Sequence, residues 1–329
     1  MGFCGGLPMS ELKVERWYAF FVSMKNVATE MNAEAKPFLK WAGGKGQLLS
    51  QLDKHLPVEL YQQEFTYVEP FVGGGAMLFH MLRMFPNMKK VVVNDINSHL
   101  ITAYRVVREH PSELIKELSA LESDYYSMDE SGRKDFYLHI RNVYNETLLD
   151  GIERTKYLLF LNRTCFNGLY RVNAEGKFNV PYGRYLKPVI CNRGTILADS
   201  ELLNRVNVIL LDGDFEQTKD YMGKGLNFFY FDPPYRPLNA TSSFNSYAKE
   251  NFNDKEQIRL ADFCKYLNHS SHVKWMLSNS DCSAKNPNDT FFENNYSDFH
   301  IHRVEASRAI NANPTKRGKL TELLIKNYE

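Results

Sequence analysis

FTYVEPFVGGGAMLFHMLRMFPNMKKVVVND, residues 65 to 95, is the stretch on which the fold turns. Thr66–Glu69 is a short strand that runs into Pro70-Phe71-Val72 and three glycines, Gly73, Gly74 and Gly75. Ala76 to Met84 follows as an apolar helix, and Lys90–Val93 as a buried strand closing on Asn94-Asp95. Strand, glycine loop, helix and a second strand ending in an acid form the opening unit of a nucleotide-binding, doubly wound α/β sheet.

Outward from that unit, residues 98–188 read as polar helix and then loop, rich in aromatic and basic side chains. Strand signals return at Val206–Leu211, Leu226–Phe231 and Val273–Leu277. A last pair, His300–Val304 and Leu320–Lys326, flanks the Asn-, Pro- and Lys/Arg-rich loop Ser307–Lys319. The expected organisation is one catalytic domain built from residues 36–97 and 189–329, with residues 98–188 inserted as a second domain. Residues 1–35 read as an N-terminal extension without assigned function; Met24 and Met31 are alternative starts.

With 329 residues, 43% hydrophobic and 24% charged, the chain has ordinary globular composition. The net charge of +1 says nothing about nucleic acid, but its distribution does. Residues 154–187 hold seven bases and one acid, and residues 303–319 five bases and one acid. The remaining 28 bases and 37 acids net −9, so an acidic body carries two basic segments, as a phosphate-binding face requires. Two solvated loops are the alternative reading of the same charges.

Five scattered cysteines, Cys4, Cys165, Cys191, Cys264 and Cys282, lack C-x-x-C spacing, which argues against disulfides and zinc and fits a reducing cytosol. His269 and His272 have no third ligand nearby and read as a surface turn, while His300 and His302 lie on one face of a sheet edge. No metal is expected. The apolar patch Trp17–Val22 is too short for a membrane span or a signal peptide.

The strongest chemical signal is Asp232-Pro233-Pro234-Tyr235 after the apolar run Asn227–Phe231. It places functional groups at the C-terminal edge of a sheet, where α/β folds bind ligands. An aromatic amine is a weak nucleophile because its lone pair is delocalised into the ring. The Asp232 carboxylate and the Pro233 carbonyl can each accept one amine N–H, pull the nitrogen toward tetrahedral geometry and take up the proton released on attack. Pro233 and Pro234 stiffen the backbone that aims the carbonyl, and Tyr235 can stack on the ring.

Three weaker signals accompany it. Phe71 to Gly75 with Asp95 about twenty residues on suits close backbone approach to an adenosyl group and acceptance from ribose hydroxyls. Lys40-Trp41-Ala42-Gly43-Gly44-Lys45 is a glycine turn, but Gln47 after Gly46 excludes a phosphate-binding P-loop. Asp212-Gly213-Asp214-Phe215 ends another strand with an acid and a ring that can hold an adenine by its amine and its face.

In this order, KWAGGK, FVGGG, ND, NGLYRVN, KFNVPYGRY, FDPPY, LSNS and RGKLTELLIKNY resemble the Dam-type, alpha-group family of adenine-N6 DNA methyltransferases from about Lys36 to Tyr328. The resemblance implies a class I S-adenosylmethionine-dependent methyltransferase fold: a doubly wound, mostly parallel sheet with a C-terminal antiparallel hairpin and an inserted helical target-recognition domain. It implies that Trp41, Lys45, Asp95 and Asp232 touch S-adenosylmethionine, that Phe71, Gly73 and Gly75 line the same pocket, and that Asp214 and Phe215 form its adenine end.

For double-stranded DNA the resemblance implies a hairpin entering the duplex with Phe166, Asn167 and Leu169. Arg171 would read a guanine edge, Asn173 would add a base or phosphate contact, and Arg184, Lys187, Lys316 and Arg317 would meet the backbone. Phe166 stands where one branch has tyrosine, so a stacking ring is kept without its hydroxyl. The expected target is the adenine of GATC, flipped out of the duplex. The implied setting is a bacterial or phage-encoded enzyme in the cytoplasm at the nucleoid, either beside a restriction endonuclease encoded nearby or acting alone, with no stable protein partner required. Two rival readings remain: the same fold acting on RNA or protein, which more often carries Asn at position 232 and lacks the NGLYRVN hairpin, and a non-catalytic DNA-binding regulator, which has no use for an amine clamp.

Overall fold

The computed structural model describes residues 35–238, 252–306 and 320–329. The expected DNA contacts Lys316 and Arg317, the loop Ser307–Lys319, and the extension through residue 34 lie outside the described residues.

Seven strands form one sheet: β1 (Phe65–Glu69), β2 (Met88–Asp95), β3 (Asn207–Asp212), β4 (Leu226–Phe231), β5 (Val273–Ser280), β6 (His300–Ala306) and β7 (Leu320–Lys326), in spatial order β3-β2-β1-β4-β5-β7-β6. Five are mutually parallel from β3 to β5, and β7 inserts antiparallel between β5 and β6. The expected mostly parallel sheet with a C-terminal antiparallel hairpin is thus the observed one. The order reverses between β1 and β4, the place where such sheets open a ligand crevice.

The alternation of strand side chains explains the layering. Phe228 and Tyr230 of β4, Tyr67 of β1 and Val91 and Val93 of β2 point into one apolar cluster. That cluster also holds the buried faces of the helices Ala76–Met84, Ser98–Glu109 and Arg193–Arg205. Phe229 and Phe231, Val68 and Val92 point the other way, under the helix Asp254–Leu267. With both faces covered, every residue of β4 is buried, and apart from Asn227 that strand reads as apolar.

Between β2 and β3 the chain makes the helices Ser98–Glu109, Pro111–Ser127, Glu130–Glu146 and Gly151–Thr164. Asn97, Asp129 and Asp150 cap three of them by accepting backbone N–H groups in the first turn. A hairpin-like segment then runs from Cys165 to Tyr182, pinned by isolated bridges Cys165–Tyr182 and Val172–Phe178. Asn145 clamps it from the neighbouring helix, donating to the Phe178 carbonyl (3.0 Å) and accepting from Phe178 N–H (2.8 Å), while the Tyr137 hydroxyl donates to the Val180 carbonyl (2.7 Å).

One side chain ties this segment to the N-terminal strap. Buried Asn162 accepts from Lys40 N–H (2.8 Å) and donates to the carbonyls of Lys40 (2.9 Å) and Gly168 (3.1 Å). A Cβ on Gly168, whose φ is +64°, would collide with the Lys40 side chain, so glycine is required there. Cys165, Cys191, Cys264 and Cys282 are free thiols, the histidines 269 and 272 are exposed in a turn, and no described helix is long and apolar enough to cross a membrane. Asn162→Ala strands three backbone groups in a buried place, and chemical denaturation is expected to show a loss of about 2–4 kcal/mol; a loss under about 0.5 kcal/mol would mean that water replaces the amide.

Candidate active site

The C-terminal ends of β1, β2 and β4 meet at one edge, and each delivers a carboxylate: Glu69, Asp95 and Asp232. Asn94 holds the neighbouring turns in register. Its amide donates to the carbonyls of Pro70 and Gly213, both at 3.0 Å, and its own oxygen accepts from Gln217 at 2.8 Å.

Asp95 accepts from the backbone N–H of Gly73 (3.0 Å) and Asn97 (2.9 Å), which shapes the loop after β1. Burial still leaves its carboxyl raised above the usual carboxylate range. Gly75 has φ of +77°, and a Cβ there would overlap the Tyr104 hydroxyl, which donates to the Gly73 carbonyl at 3.0 Å. Trp41 lies against this loop so closely that a Cβ on Gly73 or Gly74 would come within 3.0 or 2.9 Å of it. Trp41 also stacks on Tyr170 at 5.0 Å, so the glycine loop, the strap and the hairpin meet at one indole.

Lys45, on the turn after the strap, is almost fully buried. Its ammonium is 3.0 Å from Asp232 Oδ1 and 3.5 Å from Glu322 Oε2, and 4.1 Å from the centre of the Tyr235 ring. The Tyr235 hydroxyl donates to the same Glu322 oxygen at 2.6 Å, the length of a charge-assisted bond. Burial pushes the Asp232 carboxyl up to about 6, and Glu322 adds to the rise while Lys45 opposes it. Glu69 is raised well above the carboxylate range by burial, against the hydrogen bond it accepts from Tyr67 at 2.7 Å.

The tetrapeptide is fastened from behind. Gln257 donates to the Pro234 carbonyl (2.9 Å) and accepts from Asn279 (3.1 Å), whose oxygen takes the Arg236 N–H (3.2 Å). The Ser280 hydroxyl donates to the Arg236 carbonyl at 2.6 Å. With the Pro234 carbonyl engaged, the Pro233 carbonyl accepts from none of the described residues.

Trp41, Lys45, Phe71, Gly73, Gly75, Asp95, Asp232 and Tyr235 therefore share one edge. Phe71 packs on Phe215 (5.3 Å) and Phe252 (5.4 Å), and Phe215 is buried beneath the Arg259 guanidinium. Asp214 is turned to its own surroundings: it caps the following turn through Glu216 N–H (2.9 Å) and pairs with Arg259.

On the hairpin, Phe166, Asn167, Arg171, Arg184 and Lys187 are exposed, and Leu169 is half-buried. Asn167 and Arg184 hold left-handed backbone, φ +57° and +56°, uncommon for a residue other than glycine and several-fold rarer for arginine than for asparagine. Asn179 steadies the Arg171 guanidinium at 2.7 Å. Asn173 closes its own turn, its oxygen accepting from Glu175 and Lys177 N–H.

Glu69, Glu322, Asn279, Gln257 and Asn162 have no role in the sequence-based site. Glu322 had a legible signal: a carboxylate directly before the apolar run Leu323–Ile325, on the face of buried Leu324. Glu69 lies two residues before Phe71 and Asn279 inside LSNS, so both adjoin motifs; Gln257 and Asn162 reach Pro234 and Lys40, 23 and 122 residues away, only once the chain folds. Among the described residues no cluster of three or more histidines, cysteines and acids has the geometry to hold a metal ion.

Residues 41–310 match the family described as D12 class N6 adenine-specific DNA methyltransferase. The chain is 48% identical over 299 residues to the type II methyltransferase M.MjaIII of Methanocaldococcus jannaschii, which covers 90% of this chain and all of that protein. It is 39% identical over 306 residues to the type II methyltransferase M1.LlaDCHI of Lactococcus lactis subsp. cremoris, 92% of this chain and 99% of that one. With the DNA adenine methylase of Haemophilus influenzae it shares 30% identity over 293 residues, 88% of this chain and 92% of that protein. Carboxylate, paired prolines and tyrosine at the end of β4, and relatives aligned over nearly their whole length, agree: the chain belongs to the D12 class of N6 adenine-specific DNA methyltransferases.

Proposed function

We propose that this enzyme methylates the adenine of GATC in duplex DNA, turned out of the helix into the edge where β1, β2 and β4 end, with Asp232 and the Pro233 carbonyl gripping its N6 amine. The observation that carries the proposal is the tetrapeptide itself: a largely buried Asp232 beside a main-chain oxygen left open, with Tyr235 held in a fixed plane.

The family implies S-adenosylmethionine as methyl donor, and the residues suit it. At this edge the Lys45 ammonium is shared by two carboxylates, Asp232 and Glu322, an electrostatic setting that favours a sulfonium cation. Trp41, Lys45, Phe71, Gly73, Gly75, Asp95 and Asp232 are the proposed binding residues, with Asp214 and Phe215 toward the adenine end. When bound, the donor supplies an electrophilic methyl group. Asp232 accepts one N–H of the adenine amine and the Pro233 carbonyl the other, which frees the nitrogen lone pair; the proton lost after transfer leaves by way of Asp232. Alignment supplies most of the acceleration.

Extruding the adenine costs a few kcal/mol of stacking and pairing. Phe166, Asn167 and Leu169 on the hairpin fill the gap, Arg171 reads a guanine, Asn173 is a further contact, and Arg184 and Lys187 meet phosphates. Exposure of Phe166 and of all three cations, with Arg171 steadied by Asn179, supports these roles. The names of the two type II relatives support a restriction–modification setting, beside a cognate endonuclease.

Asp232→Asn is expected to keep under about 1% of the wild-type kcat with duplex binding near normal, because the amine loses its anionic acceptor; a variant above a few per cent would refute the clamp. Activity needs the carboxylate, so the rate falls as pH drops through about 6. Lys45→Ala removes the ammonium that holds this carboxyl down, and its acid limb should lie at higher pH than wild type; a limb at lower pH would contradict the ion pair. Competition between GATC and single-mismatch duplexes should show Arg171→Ala losing about 1–3 kcal/mol of discrimination at one base pair. Lys187→Ala should instead weaken all duplexes alike and reduce the salt slope by about 1. Selectivity lost at Lys187 and kept at Arg171 would reverse the two assignments.

A further inference from the structure

Glu322 stands on β7, opposite Ser280 of β5 and Val304 of β6. The residue before it is pinned: the Thr321 hydroxyl donates to Asp281 at 2.7 Å, and buried Asp281 is paired with Arg303 at 3.0 Å. Glu322 is therefore held in place by the sheet and by its neighbour. Its carboxylate binds two groups at once, the Tyr235 hydroxyl at 2.6 Å and the Lys45 ammonium at 3.5 Å.

We infer that Glu322 is a positioning residue of methyl transfer, fixing the plane of Tyr235 through its hydroxyl and offering Lys45 a second anion so that Asp232 can turn to the adenine amine. This rests on the proposed amine grip by Asp232. The need for a second anion follows from burial. The Lys45 side chain is 7% exposed, and its ion-pair partners among the described residues are Asp232 and Glu322. An ammonium left without a partner at such a site is strongly destabilised. From 3.5 Å, it needs to move less than about 1 Å to reach the 2.7–2.9 Å of a full charge-assisted bond to Glu322. Tyr235 gains a defined ring plane from the hydroxyl bond at its edge and the ammonium at its face.

The groups facing Glu322 are Lys45 from the strap, Asp232, Tyr235 and Tyr230 from β4 and its extension, with Glu69 of β1 beyond them. Negative charge at position 322 helps hold the Asp232 carboxyl high, so its removal lets that carboxyl ionise at lower pH.

The test is steady-state methyl transfer to a GATC duplex by Glu322→Gln, Glu322→Ala, Tyr235→Phe and the double variant Glu322→Ala/Tyr235→Phe, with S-adenosylmethionine affinity measured by calorimetry. Glu322→Gln, which keeps an acceptor for the hydroxyl, is expected to lower kcat about 3–10-fold, with KM for DNA and cofactor affinity within about 2-fold, and to move the acid limb below that of wild type. Glu322→Ala should lower kcat about 30–100-fold, and Tyr235→Phe added to it should cost far less than Tyr235→Phe alone costs the wild type, because both changes break one bond. Losses that multiply in the double variant, cofactor affinity falling in step with kcat, or an acid limb unmoved in Glu322→Gln would each overturn the inference. Glu322→Gln behaving as wild type while Asp232→Asn is dead overturns the inference alone; full activity in Asp232→Asn removes the amine grip and the inference with it.

Discussion

A single ammonium organises the active edge of this protein. Lys45 enters from a strap before the first strand, Asp232 from the end of β4, and Glu322 from β7, segments about 190 and 90 residues apart in the chain. Two carboxylates that share one ammonium repel each other, which adds to burial, the larger cause of the raised Asp232 carboxyl. The ammonium between them relieves the repulsion and fixes the distance between the strap and the sheet. The Tyr235 ring, bracketed by Lys45 and Glu322, inherits its orientation from the same three charges. An edge built in this way remains short of positive charge, which suits it to a cationic methyl donor.

A second constraint joins that edge to the hairpin proposed to meet DNA. Asn162 bonds both polar groups of Lys40 and the carbonyl of Gly168, and one residue further along Trp41 stacks on Tyr170 and covers the glycine loop. The strap is thereby in contact with the glycine loop on one side and the hairpin on the other. A buried amide with three hydrogen bonds specifies one register between the two, since a shift of either partner strands a polar group. Contacts made by the hairpin thus act on a segment whose other end carries Lys45.

The basic window from Arg154 to Lys187 is less uniform in three dimensions than in one. Lys156 pairs with Glu117, Lys177 with Glu146 and Glu175, and Arg163 donates to the Phe38 carbonyl inside the fold. Those three stabilise the helical region or its junction with the strap. Arg171, Arg184 and Lys187 remain at the surface of the hairpin and the segment after it. Arg303, counted with the second basic segment, is bound to Asp281 and Glu293 at the base of the β6–β7 hairpin. Charge counting along the chain locates the region; pairing decides which cations stay exposed at its surface.

Local chemistry determined much of this protein from its sequence. The helix Ala76–Met84 after the glycine loop and the strands Leu226–Phe231 and Leu320–Lys326 have the bounds read from the sequence, because glycine turns and apolar runs are local features of the chain. The tetrapeptide after β4 declares its chemistry for the same reason: carboxylate, prolines and ring are adjacent in the chain. Tertiary structure alone decided what surrounds them. That Asp214 is engaged by Arg259, that Gln257 and Asn279 hold the Pro234 carbonyl, and that Glu322 reaches Tyr235 are outcomes of long-range pairing. A hydrogen bond between residues 87 apart leaves no periodicity or spacing in the chain, and it exists only once the sheet has brought β4 and β7 to either side of β5.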